Sequence, residues 1–268
     1  MSWWGKVAGG AFGFMLGGPL GALLGAVLGH SLDKGMKGLE GAEELNPGDR
    51  ERVQTAFFAA VFSVMGRIAK ADGQVSQDEI ALAESVMREM DLNAEMRRTA
   101  INLFNQGKED EFPLDDVLHQ FRRECHRRNT LIQMFIEIQI QAAYADGRMD
   151  SAEEQLLLHI CHQLGIPEFA FRRLEKMVRA ERHYAGAGRG RGAPPPSGPT
   201  LSDAYAILNI NADATDAEVK KAYRRLLSQH HPDKLVAKGL PEEMMKMAAQ
   251  KTHEIRQAYE QVKAARGM

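Results

Sequence analysis

Apolar residues through the middle of the chain return every three or four positions, the period of a helix with one buried face. Val53, Phe57, Val61, Val64 and Ile68 set the pattern over 53–68, and similar runs follow over 77–90, 93–105, 114–126, 129–145, 152–164 and 168–182. The alternation of Ile136, Ile138 and Ile140 imitates a strand, but Leu131, Met134, Phe135 and Ile138 restore the helical step. The pattern predicts an all-α block over residues 50–184. Beyond residue 200 come a short apolar helix over 203–210 behind an Asp203 cap and a longer one carrying Val219, Ala222, Tyr223, Leu226 and Leu227. A third runs from residue 242 to about 265, with Met245, Ala249, Ile255, Ala258, Tyr259 and Val262 as its inner positions. Pro232 prevents smooth continuation of the longer helix, so an exposed loop is expected over 234–241, with the third helix returning antiparallel.

The start of the chain reads differently. From residue 7 to 28 there are 22 positions without a charge, flanked by Trp3, Trp4 and Lys6 on one side and His30, Asp33 and Lys34 on the other. As one helix the run is about 33 Å long, enough for a hydrocarbon core of roughly 30 Å. The paired tryptophans suit the membrane interface. The run is longer than a signal peptide's apolar stretch and no A-x-A cleavage site follows it. Residues 1–34 are therefore expected to form a single transmembrane anchor. Glycines at 5, 9, 13, 17, 21, 25 and 29 lay a slowly drifting stripe without side chains along that helix. A second helix backbone can approach such a stripe closely, so Gly9, Gly13, Gly17, Gly21 and Gly25 are expected to pair two anchors into a homodimer.

Composition divides the rest. Of 25 glycines, 12 fall within residues 5–41 and five within 186–198, and the stretch 186–199 also holds four of the ten prolines. Nothing there is apolar and larger than Ala, so residues 185–200 read as a linker between the central block and a C-terminal block over 201–268. Thirty-four basic against 36 acidic residues leave a formal charge of −2, which calls for no nucleic acid. Arg189 and Arg191 lack the aromatic platform that single strands stack on. Two cysteines, Cys125 and Cys161, exclude a disulfide scaffold and a four-cysteine zinc module. The central block has no Ser-His-Asp, Cys-His or P-loop arrangement, and the chain is not expected to be an enzyme.

One internal repeat stands out. The segment from Ala69 to Glu79 lies over that from Ala143 to Glu153, with Asp72 and Asp146, 74 residues apart, each followed by Gly and then by Glu79 or Glu153. Helix ends and capping boxes explain the pattern. Its sharper reading makes Asp72, Glu79, Asp146 and Glu153 oxygen ligands for a hard divalent cation, with no other cofactor expected. The glycine follows the first Asp directly, so this is no EF-hand.

The repeated A-D-G-x-(V/M)-(S/D)-x-x-E pattern resembles the TerB-like helical domain of tellurite-resistance proteins, which pairs two such units. In the C-terminal block, Tyr205-Ala-Ile-Leu, Ala222-Tyr-Arg-Arg-Leu, His231-Pro-Asp-Lys234 and Ile255-Arg-Gln-Ala-Tyr259 match in order and spacing the J-domain, the helical hairpin of DnaJ-type co-chaperones. His230 stands where many J-domains carry Tyr. With its apolar start and TerB-like centre, the chain as a whole resembles a membrane-anchored DnaJ-like co-chaperone.

The resemblance implies that the J-domain binds an ATP-loaded, DnaK-type Hsp70 and triggers its ATPase. His231, Pro232 and Asp233 would couple binding to hydrolysis, and Lys220, Lys221, Arg224 and Arg225 would meet an acidic surface of the partner. No Gly/Phe-rich region and no zinc repeat follow, so independent client binding is not expected. Because Hsp70 and ATP are cytosolic, the anchor is expected to sit in the bacterial inner membrane with its N-terminus periplasmic and its folded blocks cytoplasmic. The alternative is a membrane-anchored stress- or metal-responsive adaptor in which the TerB-like block senses and the J-domain reports.

Overall fold

The computed structural model describes residues 17–32, 48–71, 73, 77–90, 92–145, 147–186 and 200–268. Every regular element among them is helical. After α1 (Gly18–Leu32), the central block comprises α2 (Asp49–Ala69), α3 (Gln77–Glu89), α4 (Ala94–Gly107), α5 (Leu114–Glu124), α6 (Asn129–Ala143), α7 (Ser151–Leu164) and α8 (Glu168–Gly186). The C-terminal block adds α9 (Leu201–Ile207), α10 (Asp216–Gln229), α11 (Pro232–Ala237), a 3₁₀ turn at Glu242–Met244 and α12 (Met245–Arg266).

The central block is built around α2, which is buried on every side from Val53 to Gly66. A helix that is wrapped all round belongs in the middle of a bundle, and α4, α5 and α6 pack about it. Its closest neighbour is α4, because each helix offers a glycine at the crossing. A Cβ at Gly66 would overlap the Phe104 carbonyl, and one at Gly107 the Ser63 carbonyl. Phe121 fills the centre, its ring centroid 5.9 Å from Phe57 and 4.6 Å from Phe135. Two buried polar side chains bond the backbone of α2: Ser63 Oγ donates to the Ala59 carbonyl at 2.8 Å and Gln139 Nε2 to the Val61 carbonyl at 3.1 Å.

Three details differ from expectation. In the apolar start, the described helix opens only at Gly18. Gly17 and Gly18 have φ of 59° and 62°, in the left-handed region, so α1 begins at Gly18 and has 15 residues. Among the described residues no helix is long and apolar enough to cross a membrane. Residues 1–16, with Gly9 and Gly13, lie outside the described residues. Leu20 and Leu24 of α1 are buried in the central core. The Gln120 amide holds the start of the helix, accepting from Leu20 N–H at 2.8 Å and donating to the Gly17 carbonyl at 2.8 Å. Gly21 and Gly25 lie on this helix, with open space beside Gly25.

The second change concerns residues 234–241, which are not an exposed loop. Pro232 opens α11 at the position where its missing N–H costs nothing, and Leu235, Leu240 and Pro241 are buried. The third is a matter of register. Thr200, not Asp203, caps α9, with Asp203 returning a bond to the Thr200 N–H; Thr215 and Glu218 open α10 in the same way. On α12 the inner positions are Ala248, Lys251, Ile255, Ala258 and Val262, while Met245 and Ala249 are exposed.

Candidate functional site

The hairpin of α10 and α12 is closed by Val219, Leu226, Ile255, Ala258 and Val262 and by Tyr223 stacked on Tyr259 at 4.0 Å between centroids. Burying that stripe turns the other side of α10 outward, where Lys220, Lys221, Arg224 and Arg225 are all exposed. They form one cationic face leading towards the end of the helix. At that end sit His231, Pro232 and Asp233. The side chains of His231 and Asp233 are 51% and 79% exposed. His231 Nδ1 accepts from the Asp233 N–H at 3.2 Å, which caps α11 and fixes the imidazole beside the carboxylate. Lys234 Nζ reaches back to Ser228 Oγ at 2.7 Å. Among the seven sequence-predicted residues, the four basic side chains are exposed on α10 and the tripeptide follows at its C-terminal end, with His231 and Asp233 exposed.

Sequence reasoning missed what holds the site from behind. His230, one residue before the tripeptide, is buried, and burial pushes its pKa down to about 4 against the pull of Glu137. Lys251, on the inner face of α12, lies 2.8 Å from Glu137 of α6 and 2.5 Å from Glu181 of α8. Burial favours the neutral amine, but the two carboxyl groups outweigh it and raise the Lys251 pKa. Burial works against the Glu137 charge as well; Lys251, His230 and the amide of Gln133 nevertheless hold that carboxyl below its ordinary value. Glu181 goes the other way: burial, joined by Glu254 and Glu137, pushes it up to about 8 despite Lys251. Burial and charge therefore favour the ammonium at Lys251, the carboxylate at Glu137, the protonated carboxyl at Glu181 and the neutral imidazole at His230. The signal for it was a charged residue in phase with the apolar stripe of α12, and another inside the apolar run of α6.

Arg266 was missed too. It ends α12, donates to the Tyr205 hydroxyl at 2.7 Å and to the carbonyls of Ala214 at 2.5 Å and Ala212 at 2.7 Å, and lies over the Tyr205 ring. It ties the far end of the hairpin to the turn between α9 and α10.

Asp72 and Asp146 lie outside the described residues, as does the side chain of Glu79. Glu153 accepts from the Asp150 N–H at 2.9 Å while Asp150 accepts from the N–H groups of Ala152 and Glu153, the capping box that opens α7. Among the described residues no group of three His, Cys, Asp or Glu side chains could hold a metal ion. His159 pairs with Asp115 at 2.6 Å, and burial pushes the thiols of Cys125 and Cys161 up to about 12, which leaves them inert.

Three family descriptions match the chain in order: Co-chaperone DjlA transmembrane domain over residues 1–41, Tellurite resistance protein TerB over 58–176, and DnaJ domain over 203–266. The chain is 44% identical over 271 residues to the co-chaperone protein DjlA of Coxiella burnetii, covering 100% of both. It is 43% identical to that of Photobacterium profundum, covering 98% of this chain and 99% of the relative. Against that of Escherichia coli K12 the identity is 42%, with 100% and 99% covered. No solved structure matches it.

Proposed function

The chain belongs to the DjlA co-chaperone family, and on that footing we propose that its J-domain stimulates the ATPase of a cytosolic DnaK-type Hsp70 and recruits it to the inner membrane. The observation that carries this reading is the exposure of His231 and Asp233 on a capped turn at the end of α10, the helix whose outer face carries the four basic residues. In it, the four basic side chains steer an acidic partner surface into place, an effect that salt screens over about 8 Å. The tripeptide then makes the short-range contacts that trigger hydrolysis; the chain itself performs no chemistry. A cytosolic partner requires a cytosolic J-domain, which places the N-terminus in the periplasm. Pairing of two anchors belongs to the same reading and rests on the four-residue spacing of Gly9, Gly13, Gly17, Gly21 and Gly25 in the sequence, not on the placement of α1.

Steady-state ATP turnover by a DnaK-type Hsp70 tests the central claim. The full chain should stimulate it, and Asp233→Asn should abolish stimulation while circular dichroism stays unchanged. Equal stimulation by parent and variant would overturn the assignment.

A further inference from the structure

The central block and the C-terminal hairpin share a packed seam. Leu235, Leu240, Met244 and Ala248 belong to the hairpin in sequence but are buried in the core of the central block. In the other direction, Ala180 and Tyr184 of α8 pack into the hairpin's core, and the Tyr184 hydroxyl donates to Gln261. The seam runs along the back of the tripeptide. Gln54 Nε2 of α2 donates to the Leu240 carbonyl at 3.3 Å, Lys238 Nζ to Thr130 Oγ1 at 3.4 Å, and Arg50 pairs with Glu242 at 3.3 Å. Gly239 has φ of 101°, and a Cβ there would sit 2.7 Å from Val53 Cγ1, so only glycine lets this turn close onto α2.

Both flanks of the tripeptide are thereby seated on the central block. Before it, His230 is buried beside Glu137; after it, Leu235 and Leu240 are buried in the core of the central block, where Gly239 and Leu240 touch α2. Between the flanks lies the buried Lys251 with Glu137 and Glu181.

We propose that Glu137, Glu181 and Lys251 form an ionic clasp between the two blocks, and that through it the central block positions His231 and Asp233 for Hsp70. The clasp deepens the co-chaperone reading and rests on it. The three residues are positioning residues, since they lie behind the tripeptide and face no partner. A buried pair that loses one member leaves an uncompensated charge, which is why the seam depends on Lys251. The groups facing the cluster are Glu137 from α6, Glu181 from α8, His230 from the end of α10 and Glu254 from α12, with Glu89 and His253 beside Glu254. Among them Glu181 titrates to a second carboxylate as pH rises through about 8. Two carboxylates then face one ammonium, so the clasp loosens on the alkaline side.

The test uses the full chain and two variants, Lys251→Met and Glu181→Gln. Lys251→Met should expose the amides of residues 235–240 to hydrogen exchange and lower the maximal stimulation of Hsp70 by roughly fivefold or more, the low end of ordinary couplings between sites. The half-saturating concentration, set by the untouched basic face of α10, should move little. Glu181→Gln keeps the neutral hydrogen-bonding form, so it should match the parent at pH 7 and lose the decline in maximal stimulation that the parent shows towards pH 8.5. Unchanged exchange and unchanged stimulation in Lys251→Met would overturn the clasp, as would identical pH profiles for the parent and Glu181→Gln. Should Lys251→Met fail to fold by circular dichroism, the Glu181→Gln profile decides alone. A parent that stimulates nothing would sink the co-chaperone reading instead, and loop exchange, measured without Hsp70, would still test the clasp.

Discussion

The central bundle surrounds α2, a helix with hardly a water-facing residue between Val53 and Ala69, whereas the C-terminal hairpin closes a thin stripe of Val219, Leu226, Ile255, Ala258 and Val262. The first can hold itself together; the second spends most of its sequence on exposed charge and an exposed tripeptide. A hairpin of this size buries too small a fraction of its surface to be more than marginally stable alone. It gains what it lacks by pushing Leu235, Leu240 and Met244 into the larger core and receiving Ala180 from α8. Recognition and stability are thus assigned to opposite sides of one small element.

The largest break in this contrast should come from the bundle itself. Gly66→Ala places a methyl against the Phe104 carbonyl, which backbone cannot yield to without separating α2 from α4. It should cost on the order of 3 kcal/mol, read as a lowered urea midpoint; an unchanged midpoint would mean the crossing has slack. Leu240→Ala comes next. It removes a wholly buried side chain at the seam and should cost about 2.5 kcal/mol. Because the cores interlock, tryptophan-independent probes in both blocks should still report one transition. Two separated transitions would show the blocks to be energetically independent.

Acid and alkali give a finer test. Glu181 keeps its proton to about pH 8 when folded but releases it near 4.5 when unfolded, so the folded state binds more protons between these values and rising pH weakens it. His230 is neutral down to about pH 4 when folded but takes a proton near 6.5 when unfolded, so falling pH weakens the fold over that range. The two oppose each other between pH 4.5 and 6.5. From pH 6.5 to 8 Glu181 is no longer offset by His230, and stability should fall by up to about 1.4 kcal/mol per pH unit. Glu181→Gln should flatten that limb; a parent whose stability is level there would refute the assignment. The smallest effect on stability should come from Asp233→Asn, within about 0.5 kcal/mol of the parent at a side chain this exposed, although under the proposed function the same variant should abolish Hsp70 stimulation.

Much of this was legible in the sequence. The three- and four-residue steps located every described helix of the central block, and the stripe on α10 put its four basic residues on the outer face. What stayed hidden has common causes. Helical period says that Leu240 or Ala248 is buried but not in which core, and the glycine- and proline-rich composition of 185–200 argued for separate bodies. Lys251 and Glu137 were unreadable because a charge on an apolar face makes sense only when its partner, 114 positions away in the case of this pair, is brought alongside. Pro232 was read as ending a helix; that it also begins one depends on the His231 cap, a matter of backbone geometry. The apolar start was read as one helix because spacing alone cannot reveal the left-handed pair at Gly17 and Gly18.

The packing of Ala180 and Tyr184 against the hairpin bears on how the chain tolerates change. With α8 and α9 already touching, residues 187–199 join two points whose separation is set by the packed helices. Doubling the length of a flexible connection between such fixed ends costs only about 0.6 kcal/mol. Insertions there, including a fluorescent reporter or an affinity tag, should leave the neighbouring cores in register, which makes this stretch the natural place to put a label on the intact protein.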